Sequence, residues 1–127
     1  MNATSIERVV RRAGNPRKAA LLMRFFKTGP GQYGEGDLFA GVMVPQTRAL
    51  AKRFEDAPIP VIRSLLHSPV HEVRLLALII LANQFKRSDT NGQRSIYRLY
   101  MAGTKWINNW DLVDLSAPNI VGAWLSS

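Results

Sequence analysis

Apolar positions along this chain recur at helical rather than strand spacing. Asn15-Pro16 is a cap followed by a proline at the first helical position. Ala19, Leu22, Met23 and Phe26 then share one face, and Gly29 ends the segment. Val44-Pro45 opens a second helix through Ala49, Leu50, Lys52 and Phe54, and Pro58-Ile59-Pro60 closes it. A short helix over 60–67 follows. Ser68-Pro69 repeats the cap-plus-proline signature and predicts the start of the most apolar helix, with Val73, Leu76, Ala77, Ile80 and Leu81 at core spacing and an end near Lys86. Asp89 or Thr90 caps the next helix, which carries Ile96, Tyr97, Leu99 and Tyr100 and stops at Gly103. Two short helices are expected after it, one over 110–116 capped by Asn108 or Asn109, the other over 119–125 opened by Ala117-Pro118. No stretch alternates as a half-buried strand does.

Short helices joined in pairs, with prolines at recurring starts, predict an all-α fold of stacked antiparallel helical hairpins, an α-solenoid of HEAT or armadillo type. The repeats are too divergent to align within one sequence, so an irregular helical bundle is the other reading. Residues 1–127 are expected to form a single domain, and the stack looks incomplete at Trp124-Leu125-Ser126-Ser127, where a terminal repeat normally presents a polar outer face. An unburied last helix predicts self-association through residues 118–127.

Composition agrees with one globular domain: 127 residues, 46% hydrophobic and 20% charged. A chain of this size supports a core without disulfides or a structural metal. The absence of Cys removes disulfide frameworks, thiolate metal sites, iron–sulfur clusters and thiol nucleophiles together. The longest apolar run, residues 75–82, is too short to span a bilayer and is edged by Arg74 and Asn83. With no apolar stretch before a small-residue cleavage site near Met1, a cytoplasmic location is expected.

Charge changes the picture further. A net charge of +8 and a pI near 10.6 make polyanions the expected partners. The N-terminal segment is especially basic, with Arg8, Arg11, Arg12, Arg17, Lys18, Arg24 and Lys27 set against Glu7 alone in residues 1–27.

The glycine-rich residues 29–36 lack the Lys-Ser/Thr of a phosphate loop and follow no strand, so they are read as a turn. Tyr33 within them is an aromatic available for stacking. His67 and His71 are separated by Ser68-Pro69 and are expected on different helices, which disfavours a shared metal. His71 reads as a buried structural histidine. No metal or other cofactor is predicted.

Residues 105–114, KWINNWDLVD, are the richest candidate site. With Asn109 as cap, Trp110 and Asp114 are four apart and share a helix face, so an indole and a carboxylate stand side by side. Asp111 falls in the first turn, where the helix dipole alone explains an acid. Asp114 lies beyond that turn. An acid beside an aromatic ring in a basic protein suits one reaction well, cleavage of an N-glycosidic bond to a purine alkylated at N3 or N7. The leaving base is already cationic, so departure needs no general acid. It needs an anion near the developing oxocarbenium ion and a positioned water, and one carboxylate can supply both. The Trp110 ring can add cation–π stabilisation.

At these residues the chain resembles the bacterial DNA alkylation repair enzymes of the AlkD type, HEAT-like-repeat DNA glycosylases. The resemblance is carried by RFFKTG at 24–29, YGEGD at 33–37, GVMVP at 41–45, HEVRLLA at 71–77 and, most specifically, NNWDLVDLSAP at 108–118. It implies that Asp114 is the catalytic carboxylate, that Trp110 lines the lesion-sugar site, and that Tyr33, Arg48, Arg74 and Lys105 contact DNA. The implied partner is duplex DNA containing alkylated purines, held on a concave basic surface without drawing the base into a deep pocket, with the protein nucleoid-associated during repair. Relatives of this kind continue for about another hundred residues of paired helices, a domain-scale difference. Their later helices supply an essential arginine and a further aromatic residue. A fragment, a natural truncation and a half completed by self-association are the three readings of that difference.

Three functions therefore compete. The first is an alkylpurine DNA glycosylase. The second is a non-catalytic helical-repeat module that grips nucleic-acid backbones, and the third is a protein-binding scaffold that docks a partner on its last helix.

Overall fold

The most apolar stretch of the sequence becomes the axis of the molecule. The computed structural model describes residues 1–25 and 38–102. They form six helices: α1 (Ala3–Ala13), α2 (Pro16–Phe25), α3 (Val44–Arg53), α4 (Ile59–Leu66), α5 (His71–Arg87) and α6 (Thr90–Ala102). Every residue of α5 from His71 to Ala82 is buried, and α1, α3, α4 and α6 all pack on it. A helix apolar all round is stable only when neighbours enclose it, and this one is enclosed. The all-α class agrees with the hydrophobic pattern. Among the described residues the one β pairing is a parallel bridge between Leu38 and Val70. No helix among them is long and apolar enough to cross a membrane.

The surrounding helices are conventionally amphipathic. Ile6 and Val10 of α1, Ile62, Leu65 and Leu66 of α4, and Ile96 and Tyr100 of α6 face the core at helical spacing. Burying each large aliphatic side chain contributes about 1.5–3 kcal/mol. Local chemistry sets the starts. The Asn2 and Ser5 side chains form a reciprocal capping box on α1. Asn15 Oδ1 accepts from the N–H groups of Arg17 and Lys18 at 2.9 and 3.2 Å, and Pro16 opens α2. Asp89 Oδ1 accepts from the Gly92 N–H at 2.8 Å, which settles the cap of α6 on Asp89.

The sequence reading places no helix before Asn15, where α1 forms, and the start of α5 also departs from it. Ser68-Pro69 does not open α5, which begins two residues later at His71. Residues 69–71 are instead engaged by the segment that leads to α3. The Leu38 N–H donates to the Pro69 carbonyl at 3.1 Å, and the His71 N–H donates to the Leu38 carbonyl at 2.7 Å. Tertiary pairing thus holds Val70 extended and delays the helix. His67 is the C-cap just beyond α4 while His71 begins α5, so the turn between the two helices separates the histidines.

Side chains from both ends of α5 hold both ends of α3. Near the start of α5, Glu72 accepts from the backbone just before α3. Near its end, Gln84 Nε2 donates to the carbonyls of Glu55 and Ala57, just after α3, at 2.9 and 2.8 Å. The two helices therefore run in the same direction, with α4 returning between them in sequence.

Candidate nucleic-acid interface

The cationic residues follow the same helical geometry as the core, but out of phase with it. On α3 the side chains of Thr47 and Ala51 are fully buried, four residues apart. Arg48 and Lys52 each follow by one residue, about 100° further round the helix, and both are exposed. On α6, Arg94 and Arg98 stand about 200° from Ile96 and Tyr100, on the outer face. On α1, Arg8 and Arg12 stand opposite Ile6 and Val10 in the same way. Three helices thus each present an exposed basic pair one turn apart. The ion pairs among the described residues are Arg11 with Glu7 at 3.6 Å and Arg87 with Asp56 at 3.3 Å, and neither draws on these six side chains. Solvated, unneutralised cations are what phosphate contacts require.

Sequence reasoning singled out Arg48 and passed over Lys52, Arg94 and Arg98. The signal that finds them is an (i, i+4) basic pair offset from an (i, i+4) buried pair on the same helix.

Arg74 stands on the enclosed helix α5, not on an outer face. Its residue is 5% exposed, and Nη1 donates to the Ser68 carbonyl at 2.8 Å. The guanidinium is taken up inside the fold, fastening the turn between α4 and α5, and is not presented on the surface as a phosphate contact. Its neighbour His71 is also buried, its ring stacked on Phe39 at 4.5 Å between centroids. Burial first, and the positive charge of Arg74 second, lower the His71 pKa to about 3, so the imidazole is neutral at physiological pH. That agrees with the reading of His71 as a buried structural histidine. Among the described residues no group of three or more His, Asp or Glu is placed to hold a metal ion.

The segment before α3 is gripped on two sides. Glu72, 2% exposed, accepts from Ala40 N–H through Oε1 at 2.9 Å and from Gly41 and Val42 N–H through Oε2 at 2.7 and 2.9 Å. On the other side the Asn15 N–H donates to the Gly41 carbonyl at 3.2 Å. Gly41 has φ +83°, a left-handed conformation, and a Cβ there would strike the Asn15 carbonyl. Gly14 makes the reciprocal close approach to Ala40.

Tyr33, Lys105, Trp110 and Asp114 lie outside the described residues, as do the two expected helices after Gly103 and the expected self-association segment. Arg48 and Arg74 are the predicted site residues that the structure places, one outside and one inside.

The sequence model of a family described as DNA alkylation repair enzyme matches residues 6–127. No curated protein and no solved structure gives a match.

Proposed function

We propose that this chain, which belongs to the DNA alkylation repair enzyme family, hydrolyses the N-glycosidic bond of cationic N3- or N7-alkylpurines in duplex DNA. Its role in alkylation repair follows from the family; the reaction is our reading. The observation that carries it is that the family match spans residues 6–127 and so takes in the 108–118 stretch with Trp110 and Asp114.

In this reading the bond from C1′ to the purine nitrogen breaks with its electron pair going to the base. The base leaves neutral because the alkylated ring was cationic. Asp114 stabilises the oxocarbenium character at C1′ and orients a water, whose oxygen bonds to C1′ and whose proton passes to the carboxylate and then to solvent. Trp110 lies against the sugar and adds cation–π stabilisation. This chemistry calls for no cofactor. Tyr33, Arg48 and Lys105 hold the duplex, with Arg48 joined by Lys52, Arg94 and Arg98.

A second reading, a nucleic-acid-binding module without catalysis, is favoured by the outward basic pairs of α1, α3 and α6. Incubating the chain with methylated and unmodified duplex DNA and separating free bases by chromatography decides between them. Release of N3-methyladenine or N7-methylguanine from the methylated duplex alone supports the glycosylase. Tight, salt-sensitive binding with no base release supports the module.

A further inference from the structure

We propose that Glu72 is a positioning residue for DNA binding: by holding the N–H groups of Ala40, Gly41 and Val42 it fixes the start of α3, and with it where Arg48 and Lys52 stand. The inference rests on the reading that the exposed pair of α3 contacts phosphates.

A carboxylate is an expensive choice at this place. The first turn of α5 is enclosed, and an apolar side chain would satisfy the core as well, whereas a buried charge is destabilising unless it is fully hydrogen-bonded. Glu72 is so bonded, by three charge-assisted contacts of 2.7–2.9 Å to groups 30–32 residues away in sequence. What an apolar residue cannot give is direction. Three successive N–H groups converge on one anion only when the backbone curls around it, and the left-handed Gly41 supplies that curl. Val42 is followed by Met43, whose carbonyl accepts from the Thr47 N–H at 3.0 Å as α3 begins. Displacement at residues 40–42 is therefore passed directly into α3. Gln84 holds the far end, and without Glu72 the near end keeps the Asn15 N–H contact to the Gly41 carbonyl, so loss of the clamp loosens one end and lets α3 pivot. Arg48 lies near the released end.

The test measures affinity of the full chain for a short unmodified duplex across a range of salt, at a temperature where circular dichroism shows each variant folded. Arg48→Ala/Lys52→Ala is expected to lower the slope of log K against log salt by about 2, one phosphate contact for each cation. Glu72→Gln removes the anion, turns an NH2 donor toward the N–H groups, and is expected to lower the slope by about 1, the contact of Arg48 towards the loosened end. In the Glu72→Gln background the Arg48→Ala/Lys52→Ala changes should then cost only about 1 more, the contact of Lys52 at the held end. A folded Glu72→Gln protein that keeps the wild-type slope, or losses that simply add, overturns the inference while leaving the binding role of α3 intact. An unchanged slope in Arg48→Ala/Lys52→Ala removes that role itself and the inference with it. If Glu72→Gln does not fold, Glu72→Asp and amide exchange in the wild type take its place. The amides of Ala40, Gly41 and Val42 should exchange as slowly as those of α5, and rapid exchange there contradicts a clamp.

Discussion

The Ser68 hydroxyl donates to Glu7 Oε1 at 2.6 Å, joining the turn between α4 and α5 to the first helix across 61 residues of sequence. The same oxygen accepts from the Val70 N–H at 3.1 Å. One side chain thus satisfies a buried amide and fastens α1. Ser68→Ala removes both contacts, and we expect it to lower unfolding stability by about 1–3 kcal/mol. Urea denaturation checks this. Glu7 is partly exposed, so Glu7→Gln, which keeps an acceptor, should cost less.

Arg48 and Arg74 should separate binding from stability. Arg48→Ala changes an exposed residue and is expected to leave stability within about 0.5 kcal/mol of wild type. It should reduce the salt slope of DNA binding by about 1. Arg74→Met leaves the Ser68 carbonyl without its guanidinium donor and should destabilise by about 1–3 kcal/mol while leaving the slope alone. Denaturation and binding titrations on the two variants show whether the effects divide in this way.

Stability should fall on mild acidification because of His71. The unfolded chain takes up a proton at this residue near its ordinary pKa of 6.5, whereas the folded protein resists until about pH 3. Between those values the unfolded state binds more protons. The stabilising contribution is therefore complete above pH 6.5 and is lost progressively as pH drops towards 3, with a slope approaching about 1.4 kcal/mol per pH unit. Between pH 6.5 and 5, where most carboxylates are still ionised, His71→Phe should flatten this dependence. An identical dependence in His71→Phe would show that the buried imidazole is not its source.

Helices whose starts carry a proline or an Asp cap were legible in the sequence, whereas α1, opened by the Asn2 and Ser5 capping box alone, was not. Asn15-Pro16, Val44-Pro45 and Asp89 mark starts that the structure keeps, and the run 75–82 marks the enclosed helix. Ser68-Pro69 misled because the Pro69 carbonyl is claimed by the N–H of Leu38, far earlier in the chain, and no local pattern encodes that pairing. Glu72 was hidden for the same reason. In sequence it is an acid in a first helical turn, which the helix dipole already explains, and only its partners at 40–42 disclose another role. Arg74 carries a similar lesson. A basic residue beside an apolar run looks available to DNA until the burial of its whole helix is known. Arg48 stands on the exposed face of α3, where its proposed contact with DNA is sterically open. The site residues Tyr33, Lys105, Trp110 and Asp114 rest on the sequence and on the family match that spans them.

The role of Asp114 is the central claim, and single-turnover release of N7-methylguanine from methylated duplex by wild type and Asp114→Asn tests it most directly. We expect release by the wild type, loss of at least about a hundredfold in Asp114→Asn, the scale of one removed electrostatic stabiliser, and DNA affinity unchanged or slightly tighter in the variant. Equal release by the two proteins would contradict the account.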